Sequence, residues 1–386
     1  MPQIMIGDLA ATLDKAASIA DLSENTVEFI RSCNLCNACT AHCPSDISCA
    51  EVVRAARQKL LELQPEIASE YRRFRVDYQE NLFACLREFS DISYPEFLNP
   101  VADAVATDAE PKDRVSLFMP GCTLCSYSKP LTLAVFDLLL SKGAVAGMTE
   151  LCCGNPLHNF GEIEAYDTYV GNFIKLLKHN RVGRIVMACP NCMYSMQTSL
   201  AQNGVTDIEL LPLPELLVSL GIRYSGPQGS DSSDVTHNLR DSFTSFSVHD
   251  SCPDRFAQRF GKATRQLFEV PGVRILEMQS SGQNTICCGS GGLASVYNRR
   301  FAFGKQEHRL EQFAATDAEC LVCSCMSCVN MFVASPTKPQ VRHYLELICQ
   351  LEMDWQAMGS AISSMLKDSQ SGLHQPLNKA TLVFNG

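Results

Sequence analysis

The sequence predicts an α/β protein: an α-helical N-terminal domain followed by two tandem α/β repeats with parallel sheets. Three observations carry this. From Arg114 onward, short apolar runs alternate with helix-length segments, the pattern of strands joined by crossover helices. Cysteines stand where those runs end, and parallel sheets bind ligands beyond the carboxyl ends of their strands. One cysteine pattern also occurs twice. Cys122, Cys152-Cys153-Gly154 and Cys189-Pro-Asn-Cys192 are matched by Cys252, Cys287-Cys288-Gly289 and Cys325-Met-Ser-Cys328, at intervals of 130, 135 and 136 residues. So steady an interval marks a duplicated domain, each copy gathering five sulfurs around one site.

Residues 1–100 read as helical. Glu24 to Ser32 is an amphipathic turn leading into a cysteine run, and Cys49 to Leu63 sets Val52, Val53, Ala56, Leu60 and Leu63 on one side of a helix. Pro95, Pro100 and the Asp/Ala/Pro-rich stretch to Lys112 are a linker. In the first repeat, 113–223, Val115–Met119 is a strand ending at Gly121-Cys122. Pro130–Lys142 and Ile163–Asn180 are helices, and Arg184–Ala188 is a buried strand ending at Cys189. Residues 224–244, rich in Ser, Gly and Asp, form a second linker. The second repeat, 245–350, follows the same order. Phe246–His249 leads to Cys252, Val273–Met278 precedes the second Cys-Cys-Gly, Leu293–Ala314 is helical and Glu319–Cys323 is the strand before Cys325. Residues 367–386 read as a loose tail.

Length and composition narrow the function. A chain of 386 residues can form two or three domains, each with its own core, and 46% hydrophobic with 19% charged residues is a globular balance. The net charge of −10 weighs against nucleic acid or an anionic membrane surface as partner. No direct membrane span is expected: a span needs ~20 apolar residues, and the nearest run, Leu131–Leu140, is short and interrupted by Asp137. Asp8, Asp14, Asp21 and Glu24 leave no apolar core for a signal peptide. Twenty cysteines, many in close Cys-x-x-Cys pairs beside Pro or Gly, suit metals better than disulfides, and such thiolates survive in a reducing compartment. The expected location is cytoplasmic, with any membrane association made through a partner protein.

The cysteine run Cys33-x-x-Cys36-x-x-Cys39-x-x-x-Cys43-Pro44 has the spacing that wraps a cubane [4Fe–4S] cluster. A zinc knuckle fits three successive x-x spacings poorly. Cys33, Cys36 and Cys39 are assigned as ligands, while Cys43, Cys49 and Cys85 compete for the fourth position. The duplicated sets hold more sulfur than one ordinary cube requires. They fit an unusually open cluster using all five thiolates, a four-thiolate site with a spare thiol, or a zinc site built from the two Cys-x-x-Cys pairs. Gly154 and Gly289 would admit close backbone approach to an inorganic centre. Cys125 rivals Cys122, whereas Cys320, Cys323 and Cys349 read as inert core thiols. His249 and Asp250 either donate protons or hold a turn, and His158 is a weaker candidate of the same kind. Gly289-Ser-Gly-Gly292 lacks the Lys-Ser/Thr ending of a phosphate loop. There is no dinucleotide fingerprint, which places any flavin on another protein of a complex.

Over about residues 30–335 these motifs resemble a known family. Pro120-Gly121-Cys122, Leu151-Cys152-Cys153-Gly154, His249-Asp250-Ser-Cys252 and Cys287-Cys288-Gly289-Ser-Gly-Gly292 resemble the cysteine-rich CCG domain of the heterodisulfide reductase family, as found in its HdrB polypeptide. A ferredoxin-like region ahead of two CCG repeats is similar to the HdrD arrangement of the same family. It also resembles the iron–sulfur subunits of glycolate oxidase, lactate utilisation and anaerobic glycerol-3-phosphate dehydrogenase complexes. The resemblance implies two noncubane [4Fe–4S] clusters with disulfide cleavage between them. Cys122, Cys152, Cys153, Cys189 and Cys192 would hold one, and Cys252, Cys287, Cys288, Cys325 and Cys328 the other. The family usually carries two cubane motifs in its N-terminal region and this sequence has one. The implied activity is that of an iron–sulfur oxidoreductase subunit reducing a small disulfide or thiol-linked acceptor. Its partners would be other redox subunits: a flavoprotein, a ferredoxin, or a membrane cytochrome or quinone partner. The alternative is an electron-transfer subunit passing electrons from a flavin dehydrogenase of a hydroxy acid or glycerol 3-phosphate to quinone.

Overall fold

Two four-stranded sheets, each wholly parallel, organise the chain. The first comprises β1 (Val115–Met119), β2 (Gly147–Met148), β3 (Val182–Met187) and β4 (Glu209–Pro212), in the order β2-β1-β3-β4. The second comprises β5 (Ser245–His249), β6 (Arg274–Ile275), β7 (Cys320–Cys323) and β8 (Val341–His343), in the order β6-β5-β7-β8. The matching topology is the duplication expressed in three dimensions. This computed structural model describes residues 6–45, 47–94, 114–226, 243–374, 376 and 381–384.

Parallel strands need crossovers, and the crossover helices cover the sheets. In the helix Ile163–His179, Tyr166, Tyr169, Val170, Phe173, Ile174 and Leu177 recur at helical spacing and are all buried. Every residue of β5, β7 and β8 is buried as well. One apolar core joins the repeats, with Phe118, Leu131, Val186 and Leu213 from the first meeting Phe246, Phe268, Val322 and Tyr344 from the second. The halves are therefore packed as one body. N-terminal helices Glu24–Ser32 and Cys49–Leu63 form as the sequence predicts. They pack with Leu9, Leu13, Ile30 and Leu60 around Phe160 of the first repeat.

Several expectations need correction. The helix expected over 293–314 is broken at Asn298, whose side chain accepts from Phe301 N at 3.0 Å and starts a new helix, Arg299–Ala314. Of the apolar stretch Val273–Met278 before the second Cys-Cys-Gly, only Arg274 and Ile275 join the ladder. The tail is not wholly loose: Gln79 N donates to Thr381 O at 2.7 Å, Val383 N donates to Asp77 O at 2.8 Å, and Phe384 is buried against Tyr169. All of the linker between Pro95 and Lys112, and most of that over 224–244, lies outside the described residues.

Candidate metal centres

Each site begins where strands end. Beyond β1, Gly121 takes φ +88°, and a Cβ there would lie 3.0 Å from Cys189 Cβ and 3.4 Å from Cys192 Sγ. Only glycine lets Cys122 approach those thiols so closely. Beyond β3, Cys189 is the N-cap of the helix Pro190–Gln202 and Cys192 lies in its first turn. In the second repeat Cys325 caps the helix Met326–Val333 and Cys328 lies in its first turn. Of these four, Cys325 is held well below the usual thiol range by hydrogen bonds from Cys189 and Cys328, as a helix start also favours, whereas Cys189, Cys192 and Cys328 are pushed above it by their thiol neighbours and burial.

The ten cysteines of the two sets form one unbroken run of touching thiols. Cys122 Sγ is 4.0 Å from Cys152 Sγ, and hydrogen bonds continue through Cys153 and Cys192 to Cys189. In the second set Cys252 bonds Cys287, Cys287 bonds Cys288, Cys288 Sγ is 3.1 Å from Cys328 Sγ, and Cys328 bonds Cys325. The sets meet at equivalent positions, where Cys189 and Cys325 are hydrogen-bonded to each other. Asn191 Nδ2 also reaches across from the first repeat to Cys325 Sγ at 3.7 Å. Crowding splits the thiols into donors and thiolates. Bonds from Cys152 and Cys192 hold Cys153 well below the usual thiol range, and bonds from Cys287 and Cys328 do the same for Cys288. Metals bind thiolates, so both pockets are partly prepared.

The N-terminal cysteine loop docks on the second site. Cys36 bonds Cys287 through its thiol, and Arg255 Nε donates to Cys36 O at 3.2 Å. Asn34 Nδ2 donates to Gly289 O at 2.8 Å and Gly291 O at 3.0 Å. Arg57, itself buried, donates to Ile30 O, Arg31 O, Cys33 O, Asn159 O and Gly292 O, sewing the N-terminal domain to both repeats. Cys49 lies within electrostatic range of Cys33, Cys39 and Cys43. Cys85 does not join them; it is buried beside Leu86, Met365 and Leu373.

The two CCG glycines combine tight packing with backbone approach to sulfur: Gly289 N donates to Cys287 Sγ at 3.4 Å. Gly154 (φ +81°) faces Tyr166, Tyr169 and Val170, while a Cβ on Gly289 (φ +93°) would fall 2.2 Å from Ala302 O. Gly292 hugs the N-terminal loop, where a Cβ would meet Cys33 O at 2.4 Å. Gly289→Ala should therefore cost roughly 3 kcal/mol or more, from strain and overlap together. Gly304→Ala, where nothing lies within 4 Å of the new Cβ inside the helix Arg299–Ala314, should stabilise by up to about 1 kcal/mol. Thermal melting of the pair reads the contrast, and equal melting points would refute it.

Other candidates take structural places. Cys125 is fully buried among Leu124, Leu131 and Val135; it lies within electrostatic range of Cys122 but shares no hydrogen bond with the run of thiols. Cys320 and Cys323 are buried within β7, and burial pushes the Cys349 thiol up to about 12. Asp250 holds the turn: it pairs with Arg265 at 2.6 and 3.0 Å and accepts from Gly282 N at 2.7 Å. His158 stacks on Tyr166 with ring centroids 4.6 Å apart. His249 is closer to the chemistry, because one of its ring nitrogens lies within 4.8 Å of the sulfurs of Cys288 and Cys328. Burial, with Arg309 beside it, lowers its pKa to about 3. Sequence reasoning missed Asn34, Arg57 and Arg309, and quoted Gly121 only as part of the motif before Cys122.

All-thiol, buried donor sets suit soft metals and iron–sulfur clusters. The two Cys-x-x-Cys pairs are contiguous, as a shared zinc would need. Six further thiols extend the run on either side, however, and a closed tetrahedral site leaves them no role.

The chain carries two matches to the cysteine-rich domain family CCG, at residues 116–197 and 246–333, one on each sheet and its thiols. Among individual proteins, the chain is similar to the D polypeptide of the dihydromethanophenazine:CoB–CoM heterodisulfide reductase of Methanosarcina mazei, with 23% identity over 315 residues, 79% of this chain and 72% of that protein. It is similar also to "Probable iron-sulfur-binding oxidoreductase FadF" of Bacillus subtilis, with 24% identity across 89% of this chain and 49% of that protein. The B polypeptide of the fumarate reductase (CoM/CoB) of Methanothermobacter marburgensis is 22% identical across 56% of this chain and 41% of its own length. Among the described residues, no helix is long and apolar enough to cross a membrane.

Proposed function

We propose that this chain is an iron–sulfur oxidoreductase subunit that reduces a disulfide or thiol-linked acceptor at its two cysteine-rich repeats. An N-terminal [4Fe–4S] cluster would bring in the electrons. The observation that carries the reading is the unbroken run of thiols from Cys122 to Cys252, joined to Cys36 through Cys287. A cubane would sit on Cys33, Cys36 and Cys39 with Cys43 or Cys49 as fourth ligand. Two further four-iron clusters would sit on the two five-cysteine sets. When bound, such clusters supply electrons one at a time. Cleaving a disulfide consumes two electrons and two protons and yields two thiols, and the electrons would come from a partner redox protein. The chain's own residues shield the sites from water, hold thiolates in place and lock the N-terminal loop against the second repeat.

The deep burial of Cys153, Cys192, Cys287, Cys288, Cys325 and Cys328 favours a second reading, in which the chain only relays electrons between a flavin dehydrogenase and quinone. Both readings are tested on anaerobically purified protein by iron and sulfide analysis with EPR, followed by mixing the reduced chain with a disulfide. About twelve irons per chain and stoichiometric thiol release are expected for the first reading. About twelve irons with no thiol release would select the relay. About four irons, or colourless zinc protein, would overturn both.

A further inference from the structure

The repeats are alike in fold but not in the charge placed behind their sulfurs. β1 and β5 are equivalent five-residue strands, so Met119 and His249 occupy the same position at their ends. The helices Ile163–His179 and Arg299–Ala314 are likewise equivalent, which sets Phe173 against Arg309. In the first repeat Met119 and Phe173 are fully buried in the apolar cluster that includes Cys152 and Cys153. In the second repeat the same two places hold a buried imidazole and a buried guanidinium.

Their hydrogen bonds fix the imidazole's proton. Arg309 Nε donates to His249 Nδ1 at 3.1 Å, while Arg309 Nη1 donates to Ser280 O at 2.6 Å and Gln312 Oε1 at 2.7 Å. A guanidinium can only donate, so Nδ1 carries no hydrogen and the ring's N–H is on Nε2. That Nε2 is buried without a partner, as is Arg309 Nη2. Phe332 meets the ring edge-on at 5.0 Å and holds its plane. A buried donor left unpaired is costly, yet here two lie behind Cys288 and Cys328. The same geometry argues against His249 as a metal ligand. A ligating histidine offers its second N–H to an acceptor, whereas the second nitrogen here faces a donor.

We propose that His249, positioned by Arg309, donates a hydrogen bond from Nε2 to the sulfur of the centre held by the second repeat and makes that centre the easier of the two to reduce. Reduction adds negative charge, which an N–H donor and a nearby guanidinium stabilise and which Met119 and Phe173 do not. Electrons arriving at the contact between Cys36 and Cys287 would meet the higher-potential centre first, and the first repeat would remain the stronger reductant.

The inference rests on the proposed iron–sulfur reading, which iron analysis of the unmutated chain tests separately. In an EPR-monitored redox titration of the full chain, two steps from the repeats are expected besides the N-terminal signal. His249→Met, which copies the first repeat, should lower only the higher step, by at least tenfold in its equilibrium constant, about 59 mV for one electron. His249→Gln retains an amide N–H and should recover part of the shift. A full iron complement with an unmoved step would overturn the proposal while leaving the iron–sulfur reading intact. Should His249→Met shed its iron, pulsed EPR on unmutated protein carrying 15N-histidine decides. Weak nitrogen coupling with an exchangeable proton, seen on the higher-potential centre, supports the donor. No coupling, or the strong coupling of a direct ligand, overturns it.

Discussion

Replacing Cys288 with serine should strip the second repeat of its iron and abolish disulfide reduction while leaving the N-terminal EPR signal in place. Cys288 stands in the middle of its five-cysteine set, between Cys287 and a Cys328 sulfur 3.1 Å away, and those neighbours hold it well below the usual thiol range. A serine hydroxyl there would stay protonated, would reach less far and would offer a hard oxygen where soft sulfur is needed. Iron should fall by about a third, from about twelve to about eight per chain, and the rate at least a hundredfold. Cys153→Ser should act in the same way on the first repeat, since hydrogen bonds from Cys152 and Cys192 give it the matching place. Cys125→Ala supplies the contrast. It removes an equally buried thiol that lies off the run, so it should cost about 1–2 kcal/mol of stability and no iron. Iron analysis of the three variants settles the matter: if Cys288→Ser kept all its iron, the ligand set would be wrong.

The sequence and the structure agree most closely where chemistry imposes spacing. In each repeat the Cys-x-x-Cys pair falls where a strand ends and a helix starts, and Cys189 and Cys325 are both found there. The strand Val115–Met119 and the helix Cys49–Leu63 fall where their apolar periods put them. What could not be read is what long-range contact decides. Cys85 is remote from the N-terminal cysteine loop because its helix, Leu82–Phe89, packs on Met365 and Leu373. Gly154 and Gly289 were expected to admit backbone close to a metal centre, and Gly289 N does reach Cys287 Sγ at 3.4 Å; what no spacing showed is that their missing Cβ atoms would meet Tyr166, Tyr169 and Val170 in one repeat and Ala302 in the other. Arg57 is harder still. In the sequence it is one more charge on an amphipathic helix, with nothing to show that its guanidinium points inward at five carbonyls. The contact between Cys189 and Cys325 likewise depends on how the repeats pack, and no spacing within either copy contains it.

Arg57→Met should loosen the seam between the N-terminal domain and the repeats, with a loss of roughly 3–5 kcal/mol. The side chain is 2% exposed and donates to the carbonyls of Ile30, Arg31, Cys33, Asn159 and Gly292, two of which belong to the repeats. A hydrogen bond to a charged group is worth about 1.5–3 kcal/mol, and five that share one group do not add. Methionine nearly preserves the volume and leaves five buried acceptors without their donor, so the change isolates polar satisfaction from packing. Lysine should rescue little, because a compact ammonium with three donors cannot span carbonyls placed around a planar fork. The damage should be local. Apolar packing of the two sheets does not pass through Arg57, whereas the path from Cys33 to Gly292 does. Amide hydrogen exchange should therefore quicken in Glu24–Ser32 and Cys49–Leu63 while β5 and β7 stay protected. Electron transfer from the N-terminal centre should slow with it, because the Cys36 contact with Cys287 depends on that seam. Unchanged exchange in those two helices would show that Asn34 and Arg255 hold the loop without Arg57.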